Sequence, residues 1–282
     1  MYTTLISATA LKNFNGELRI FDCSADLAKP EAGMAQFQEK HISGALFTDI
    51  NSDLSTHDSS LAINAGRHPL PSREHFAQWL GARGVSESTQ VVVYDRQGMN
   101  YCGRLWWMLK WCGHEAVAVL DGGLQAWEAI GGELQTGQSA SPATASFALR
   151  EPLVVLKHTA EVAKALGQAA QTLVDARAPA RYKGETEPFD PVAGHIPGAL
   201  NRPFNSNIGA DGLMKPAQVL RAEFEALLAG HAADSVVHHC GSGISAIPNV
   251  IAMEVAGLGR TALYAGSWGE WCNTPGLPCA QG

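Results

Sequence analysis

Residues 234–259 read DSVVHHCGSGISAIPNVIAMEVAGLG, and this stretch decides the fold class. A short β-branched run, Val236 and Val237, leads through His238 and His239 to Cys240 and has the character of a buried strand. Small residues follow at Gly241, Ser242 and Gly243. A helical pattern then starts near Ser245 and accepts Pro248 in its first turn. A strand running into a glycine-containing loop and then a helix is half of a βαβ unit. It delivers Cys240 to the carboxyl edge of a parallel sheet, where open α/β sheets bind their ligands.

The same alternation extends in both directions. ELRIFDCS, TQVVVYD and AVAVLDGG read as strands in the first half, with REHFAQWLGARG and YCGRLWWMLKWCG as helices. QTLVDAR, DSVVHHC and TALYAGS read as strands in the second half, with VLRAEFEALLAG and AIPNVIAMEVAGLG as helices. The halves share landmarks in one order, which identifies an internal repeat. A strand ends at Asp22 or Asp175, and HISGAL (His41) or HIPGAL (His195) follows after 19 or 20 residues. A buried strand then ends at Asp95 (VVVYD) or Cys240 (VVHHC). The final strand runs into Asp121 or Ala265, 26 or 25 residues further on. Between the copies, TGQSASPATASFALREP is poor in large apolar side chains and reads as a linker. The expected organisation is two tandem α/β domains, each a mainly parallel sheet flanked by helices: residues 1–140, a linker at 141–152, and residues 153–282. Trp106 and Trp107 stand among Leu and Met at helical spacing and read as core aromatics.

Composition narrows the function. The net charge of −7 and the absence of basic runs argue against a nucleic-acid partner. No apolar run is long enough to span a bilayer, and the opening MYTTLISATALKNFNG has no signal-peptide pattern. The six cysteines show no C-x-x-C or zinc-finger spacing, so free thiols in a reducing, cytoplasmic setting are expected, with no metal and no cofactor. His238 and His239 alternate across a strand and point to opposite faces, which disfavours chelation together with Cys240.

The loop after Cys240 suggests backbone N–H groups and a helix N-terminus aimed at the sulfur. Such a cradle stabilises an anion without a charged side chain, and a thiolate is far more nucleophilic than a thiol. An inert buried cysteine is the other reading of the loop taken alone.

The duplicated domain, the GHIPGAL motif, the exchange of Asp95 for Cys240 between halves and the CGSGISA loop together resemble the two-domain rhodanese (sulfurtransferase) family, over nearly the whole chain. Within it the loop is most similar to the C-G-[ST]-G-V-T-A pattern of 3-mercaptopyruvate sulfurtransferases. The resemblance implies a rhodanese-like fold for both domains, with the first non-catalytic because Asp95 stands at the cysteine position. It implies a persulfide on Cys240, filled by a small-molecule sulfur donor and emptied by cyanide, a thiol or a thioredoxin-like acceptor. Gly241, Ser242, Gly243, Ile244, Ser245 and Ala246 would surround the sulfur; the two serine hydroxyls either donate to it or simply suit the turn. Arg181 matches a family arginine that grips the donor's carboxylate. A second arginine, nine residues later in mercaptopyruvate enzymes, falls on Asp190, which leaves thiosulfate open as the donor; Lys183 and Arg202 are the candidates to compensate. A Ser-His-Asp relay implied by some relatives would use Ser242 and His41. For His195 a structural role in its turn is expected, and Arg104 is open to a local ion pair or one across the domain boundary. Two further readings stand beside the enzyme: a rhodanese module that only binds a partner, and a cysteine phosphatase, which would need an arginine where Ala246 stands.

Overall fold

The structure is a computed structural model describing residues 1–282. The chain divides into two compact units, one of residues 1–61, 71–153 and 210–213, the other of residues 62–70, 154–209 and 214–282. The segment 62–70 therefore belongs structurally to the second unit, although in sequence it precedes most of the first.

In the first unit the strands are β1 (Leu5–Ile6), β2 (Leu18–Asp22), β3 (His41–Ile42), β4 (Leu46–Phe47), β5 (Gln90–Tyr94), β6 (Val117–Leu120) and β7 (Leu134–Gln135). Five of them form a parallel sheet in the order β1-β6-β5-β2-β4, and β3 pairs antiparallel with β7. In the second unit β8 (Leu156–Lys157), β9 (Thr172–Asp175), β10 (Leu200–Asn201), β11 (Val236–His239) and β12 (Ala262–Tyr264) form a parallel sheet. Its order, β8-β12-β11-β9-β10, is the same topology. The antiparallel β3-β7 pair has a reduced counterpart there, a single bridge between His195 and Ala280. Both units are thus the expected mainly parallel α/β fold. The two-residue edge strands go unread in the sequence because two residues carry no periodicity.

The central strands β5 and β11 are buried along their whole length, which is why they read as continuous rather than alternating runs. The helices expected from periodicity form at Arg73–Ala82, Cys102–Trp111, Ala217–Leu228 and Ile247–Val255. Ser72 caps the first of these, its hydroxyl accepting the His75 N–H at 3.2 Å. Every residue of Cys102–Trp111 is buried, including Trp106 and Trp107, and the Lys110 ammonium there meets Glu115 at 3.0 Å. Separate apolar clusters fill the two units: Ile20, Val92, Tyr94 and Trp127 are among the first, and Leu173, Ile196, Trp268 and Trp271 among the second. Residues 141–152 do not hang free. They run along the first unit, with Ala145 N–H bonded to Gly81 O at 2.8 Å and Arg150 N–H to Cys112 O at 3.2 Å. No helix is long and apolar enough to cross a membrane.

Candidate active site

The loops after β5 and β11 have equal length: Asp95 precedes a helix starting at Cys102, and Cys240 precedes one starting at Ile247. In the first unit the loop has closed on its own side chain. Asp95, 2 % exposed, accepts the N–H groups of Gln97 and Met99 on Oδ1 at 2.9 Å each, and those of Tyr101 and Cys102 on Oδ2 at 2.8 and 2.9 Å. Burial pushes this carboxyl upward from its ordinary range, and the N–H groups of Cys102, Tyr101 and Gln97 pull against that shift. The N–H groups that correspond by position in the second loop are those of Ser242, Ile244 and Ala246; the fourth, Ile247 N–H, bonds Ile244 O at 3.1 Å. Neither helix has a side-chain cap at its start, so the first-turn donors are left to whatever the loop encloses.

Cys240 is 2 % exposed at the end of β11. Its N–H donates to Ser267 Oγ at 3.1 Å, and that hydroxyl donates to Tyr264 O at 2.9 Å. Its carbonyl accepts Trp268 N–H at 3.0 Å. Ser267 holds a left-handed backbone, φ 56°, where the first copy has Gly123 at φ 58°. A serine accepts this strain because its hydroxyl ties down Cys240, a role sequence reasoning missed. Aligning AGSWGEW with DGGLQAW exposes the exchange of serine for a left-handed glycine. Gly243 is equally constrained: its φ is 74° and a side chain would collide with the Ala265 carbonyl oxygen.

A buried chain of alternating charges surrounds the loop. Arg177 holds Asp175 through Nε at 3.1 and 3.0 Å and through Nη2 at 2.6 Å, and reaches Glu187 at 3.3 Å. Burial opposes the Arg177 charge, but Asp175 and then Glu187 more than offset it and hold the guanidinium above its ordinary value; the Cys240 sulfur acts in the same direction. Arg181, in the short helix Pro179–Tyr182, donates to Glu187 at 2.7 and 3.0 Å and to Asp190 at 3.4 Å. Asp190 also pairs with Arg67, which sequence reasoning overlooked because it lies 123 residues earlier. Both guanidiniums border Gly241: a Cβ placed there would stand 2.6 Å from Arg67 Nη2 and 3.4 Å from Arg181 Nη1. Lys183 closes the Pro179–Tyr182 helix, and Arg202 is committed to Asn207 at 2.9 Å and Glu223 at 2.7 Å. Neither is the charge that Asp190 recruits.

Ser242 is buried in the loop and Ser245 is partly exposed. His41 lies in the first unit, stacked on Phe37 at 3.7 Å, with Nδ1 at 2.7 Å from Phe37 O and Nε2 at 3.0 Å from Ser139 Oγ. His195 repeats this arrangement, stacked on Tyr182 at 3.9 Å with Nδ1 at 2.8 Å from Tyr182 O. Each histidine ties its segment to the carbonyl of an aromatic residue that precedes it, and both ring nitrogens of His41 are engaged. Arg104, fully buried, donates to Leu54 O at 3.4 and 3.3 Å.

His238 and His239 face opposite sides of the sheet, as strand alternation requires. His238 Nε2 meets Met253 Sδ at 3.2 Å, and His239 Nδ1 stands 4.0 Å from Asp175, its ring nitrogens without a hydrogen bond. Burial pushes His238 down to about 3 from 6.5, and lowers His239 as well. Both rings are therefore neutral when folded and take up protons on unfolding below pH 6.5. Their contribution to stability is complete above that pH and is lost as pH falls from 6.5 towards 3 for His238, with a slope of about 1.4 kcal/mol per pH unit. Urea unfolding at pH 7.5 and pH 5 is expected to show this loss, and His238→Leu should flatten the slope; an unchanged slope would mean that the ring is not the proton acceptor.

Known proteins place this geometry. The rhodanese-like domain family matches residues 7–130 and again 158–274. A probable 3-mercaptopyruvate sulfurtransferase of Pseudomonas aeruginosa is 42 % identical over 267 residues, 94 % of this chain and 93 % of that protein. A putative thiosulfate sulfurtransferase of Mycobacterium tuberculosis is 37 % identical over 93 % of this chain and 90 % of its own length. The solved 3-mercaptopyruvate sulfurtransferase from Leishmania major superposes with a TM-score of 0.84 at 27 % identity, covering 98 % of this chain and 76 % of that one. With two copies of the domain and relatives named as sulfurtransferases along almost its entire length, the chain belongs to the rhodanese-like family and is a sulfurtransferase.

Proposed function

We propose that the protein moves sulfur from 3-mercaptopyruvate to a thiophilic acceptor through a persulfide on Cys240. The observation that carries this reading is the Asp95 loop. An aspartate side chain extends two atoms beyond Cβ and ends in an anion, as a cysteine persulfide does. The first copy thus holds, permanently and on four N–H groups, a group of the length and charge that Cys240 would acquire on loading. In the second copy the residue at that position is a nucleophile, so the anion is made and removed in each cycle.

The step balances as follows. The Cys240 thiolate attacks the donor's thiol sulfur, the donor's C–S bond breaks with its electron pair remaining on carbon, and the thiol proton ends on that carbon to give pyruvate. The acceptor then attacks the outer sulfur and the S–S pair returns to Cys240: cyanide leaves as thiocyanate, a thiol or thioredoxin-like dithiol as a persulfide. Arg181 meets the donor's carboxylate, and the N–H groups from Gly241 to Ala246 hold the persulfide. Ala246 offers no guanidinium for a phosphoryl group, which disfavours phosphatase chemistry.

Catalytic efficiency on 3-mercaptopyruvate against thiosulfate tests the donor, with Cys240 followed by mass spectrometry. A higher efficiency on 3-mercaptopyruvate, and a gain of one sulfur at Cys240, is expected. Preference for thiosulfate would reverse the donor assignment, a reading that the M. tuberculosis relative's name keeps in view. No gain of sulfur from either would leave a binding module. Arg181→Ala is expected to raise KM for the anionic donor about tenfold or more while changing kcat little; an unchanged KM would remove Arg181 from the site.

A further inference from the structure

Four of the six cysteines are buried, and the two that reach solvent, Cys272 and Cys279, are carried by one tight loop. The helix Ser267–Trp271 ends just before Cys272. The chain then turns back through Thr274, Pro275, Gly276 and Leu277, with Gly276 at φ 83° and Leu277 N–H on Thr274 O at 3.4 Å. Proline second and a left-handed glycine third make this a type II turn. Counted outwards from it, Thr274 matches Leu277, Asn273 matches Pro278 and Cys272 matches Cys279. The two arms are fastened beside the cysteines: Trp271 Nε1 donates to Pro278 O at 2.8 Å, and Cys272 and Leu277 pack on the same apolar cluster. Matching positions on two such arms lie about 5 Å apart, within the range of about 4.4–6.8 Å that a disulfide spans. Electrostatics also brings the sulfurs together. Burial pushes the Cys272 thiol up to about 11, and Asp190, Cys279 and Glu187 add to the shift against the Val192 N–H. Beyond Cys279 the tail runs along residues 183–195. Ala280 and His195 exchange two backbone bonds at 2.9 and 2.8 Å, Gln281 Nε2 donates to Ala193 O at 3.1 Å, and Gly282 N–H donates to Lys183 O at 3.1 Å.

We propose that Cys272 and Cys279 are a second thiol site, separate from Cys240, which a small disulfide such as glutathione disulfide oxidises to an intrachain bridge. The site does not depend on which donor loads Cys240. Exposed Cys279 reacts first: its thiolate attacks one sulfur of the small disulfide, and one small thiol leaves with the S–S electron pair. Cys272 then gives up its proton and attacks the Cys279 sulfur, expelling the second small thiol. The protein loses two thiol hydrogens, the small disulfide gains them, and no other co-reactant is needed. The bridge fastens the tail to the end of the helix Ser267–Trp271 and so stiffens the bonding of the tail to residues 183–195, the segment that carries Glu187 and Asp190.

The test uses the full-length protein carrying Cys240→Ser, so that the first thiol site is silent. It is treated with glutathione disulfide at about pH 8.5, where raised thiols ionise more readily, and the remaining thiols are blocked with iodoacetamide. The tryptic peptide 261–282, which holds both cysteines and no Lys or Arg, is then weighed. The peptide is expected to be two hydrogens lighter and free of alkyl groups, and dithiothreitol should restore two alkylatable thiols. With Cys272→Ser added, Cys279 should stop as the glutathione mixed disulfide. With Cys279→Ser added, Cys272 should react about tenfold more slowly or less. In the bridged protein, amide exchange at His195 and Ala280 is expected to slow about threefold or more. A mixed disulfide that persists at Cys279 with Cys272 present, or a bridge between two chains instead of within one, would overturn the pairing. Equal amide exchange in the reduced and bridged forms would refute the stiffening of the tail.

Discussion

Cys240→Ser is expected to abolish sulfur transfer, with a loss of about a thousandfold or more in turnover and no gain of sulfur mass at position 240 from any donor. A serine hydroxyl is scarcely ionised near neutral pH, whereas a thiol of pKa about 8.5 is already partly thiolate before any help from its surroundings. Nor can an oxygen at this position carry and release a sulfane sulfur as Cys240 would. The variant is expected to fold normally. The backbone bonds that fix residue 240, its N–H to Ser267 and its carbonyl to Trp268, involve no sulfur atom, and serine is close in size to cysteine. An unchanged melting temperature with lost activity separates chemistry from structure. Retained transfer in Cys240→Ser would require another of the cysteines to carry the sulfur and would end the persulfide assignment.

Asp95→Asn is expected to cost the first unit about 2–4 kcal/mol. The carboxylate accepts four backbone N–H groups, two on each oxygen. An amide of the same shape turns one acceptor into an NH2 group, so two of those donors face another donor in a site closed to water. Flipping the amide only transfers the conflict from Tyr101 and Cys102 to Gln97 and Met99. Urea unfolding followed by tryptophan fluorescence measures the loss, since Trp106, Trp107 and Trp127 lie buried in this unit. Unchanged stability would mean that the carboxylate does not hold the loop. The same comparison is why we propose that the first copy is silent: its cradle is already filled by a side chain that cannot leave.

Much of this was legible in the sequence because it is encoded locally. Continuous apolar runs at Val91–Tyr94 and Val236–Val237 marked central strands. Small residues after Cys240 mark a loop whose backbone can approach a ligand, and the repeat pairs Asp95 with Cys240 from sequence order alone. The repeat also held more than one copy read alone conveys. His41 looked like a relay candidate while its counterpart His195 looked structural, yet both stack on an aromatic ring and bond that residue's own carbonyl. Ser267 stood out only against Gly123, because backbone handedness is invisible in a side chain's chemistry.

By itself, then, the sequence determined the duplicated α/β fold, the strand, loop and helix that carry Cys240, and the contrast between a cysteine copy and an aspartate copy. These follow from dihedral preference, periodicity and order along the chain, which act over a few residues. Tertiary structure alone decided which charges meet. Asp190 read as a missing arginine until residues 62–70 were found within the second unit, with Arg67 on its carboxylate across 123 residues of sequence. A buried carboxylate needs a cation and takes whichever one the packing brings within reach, and no local pattern records where that cation lies along the chain.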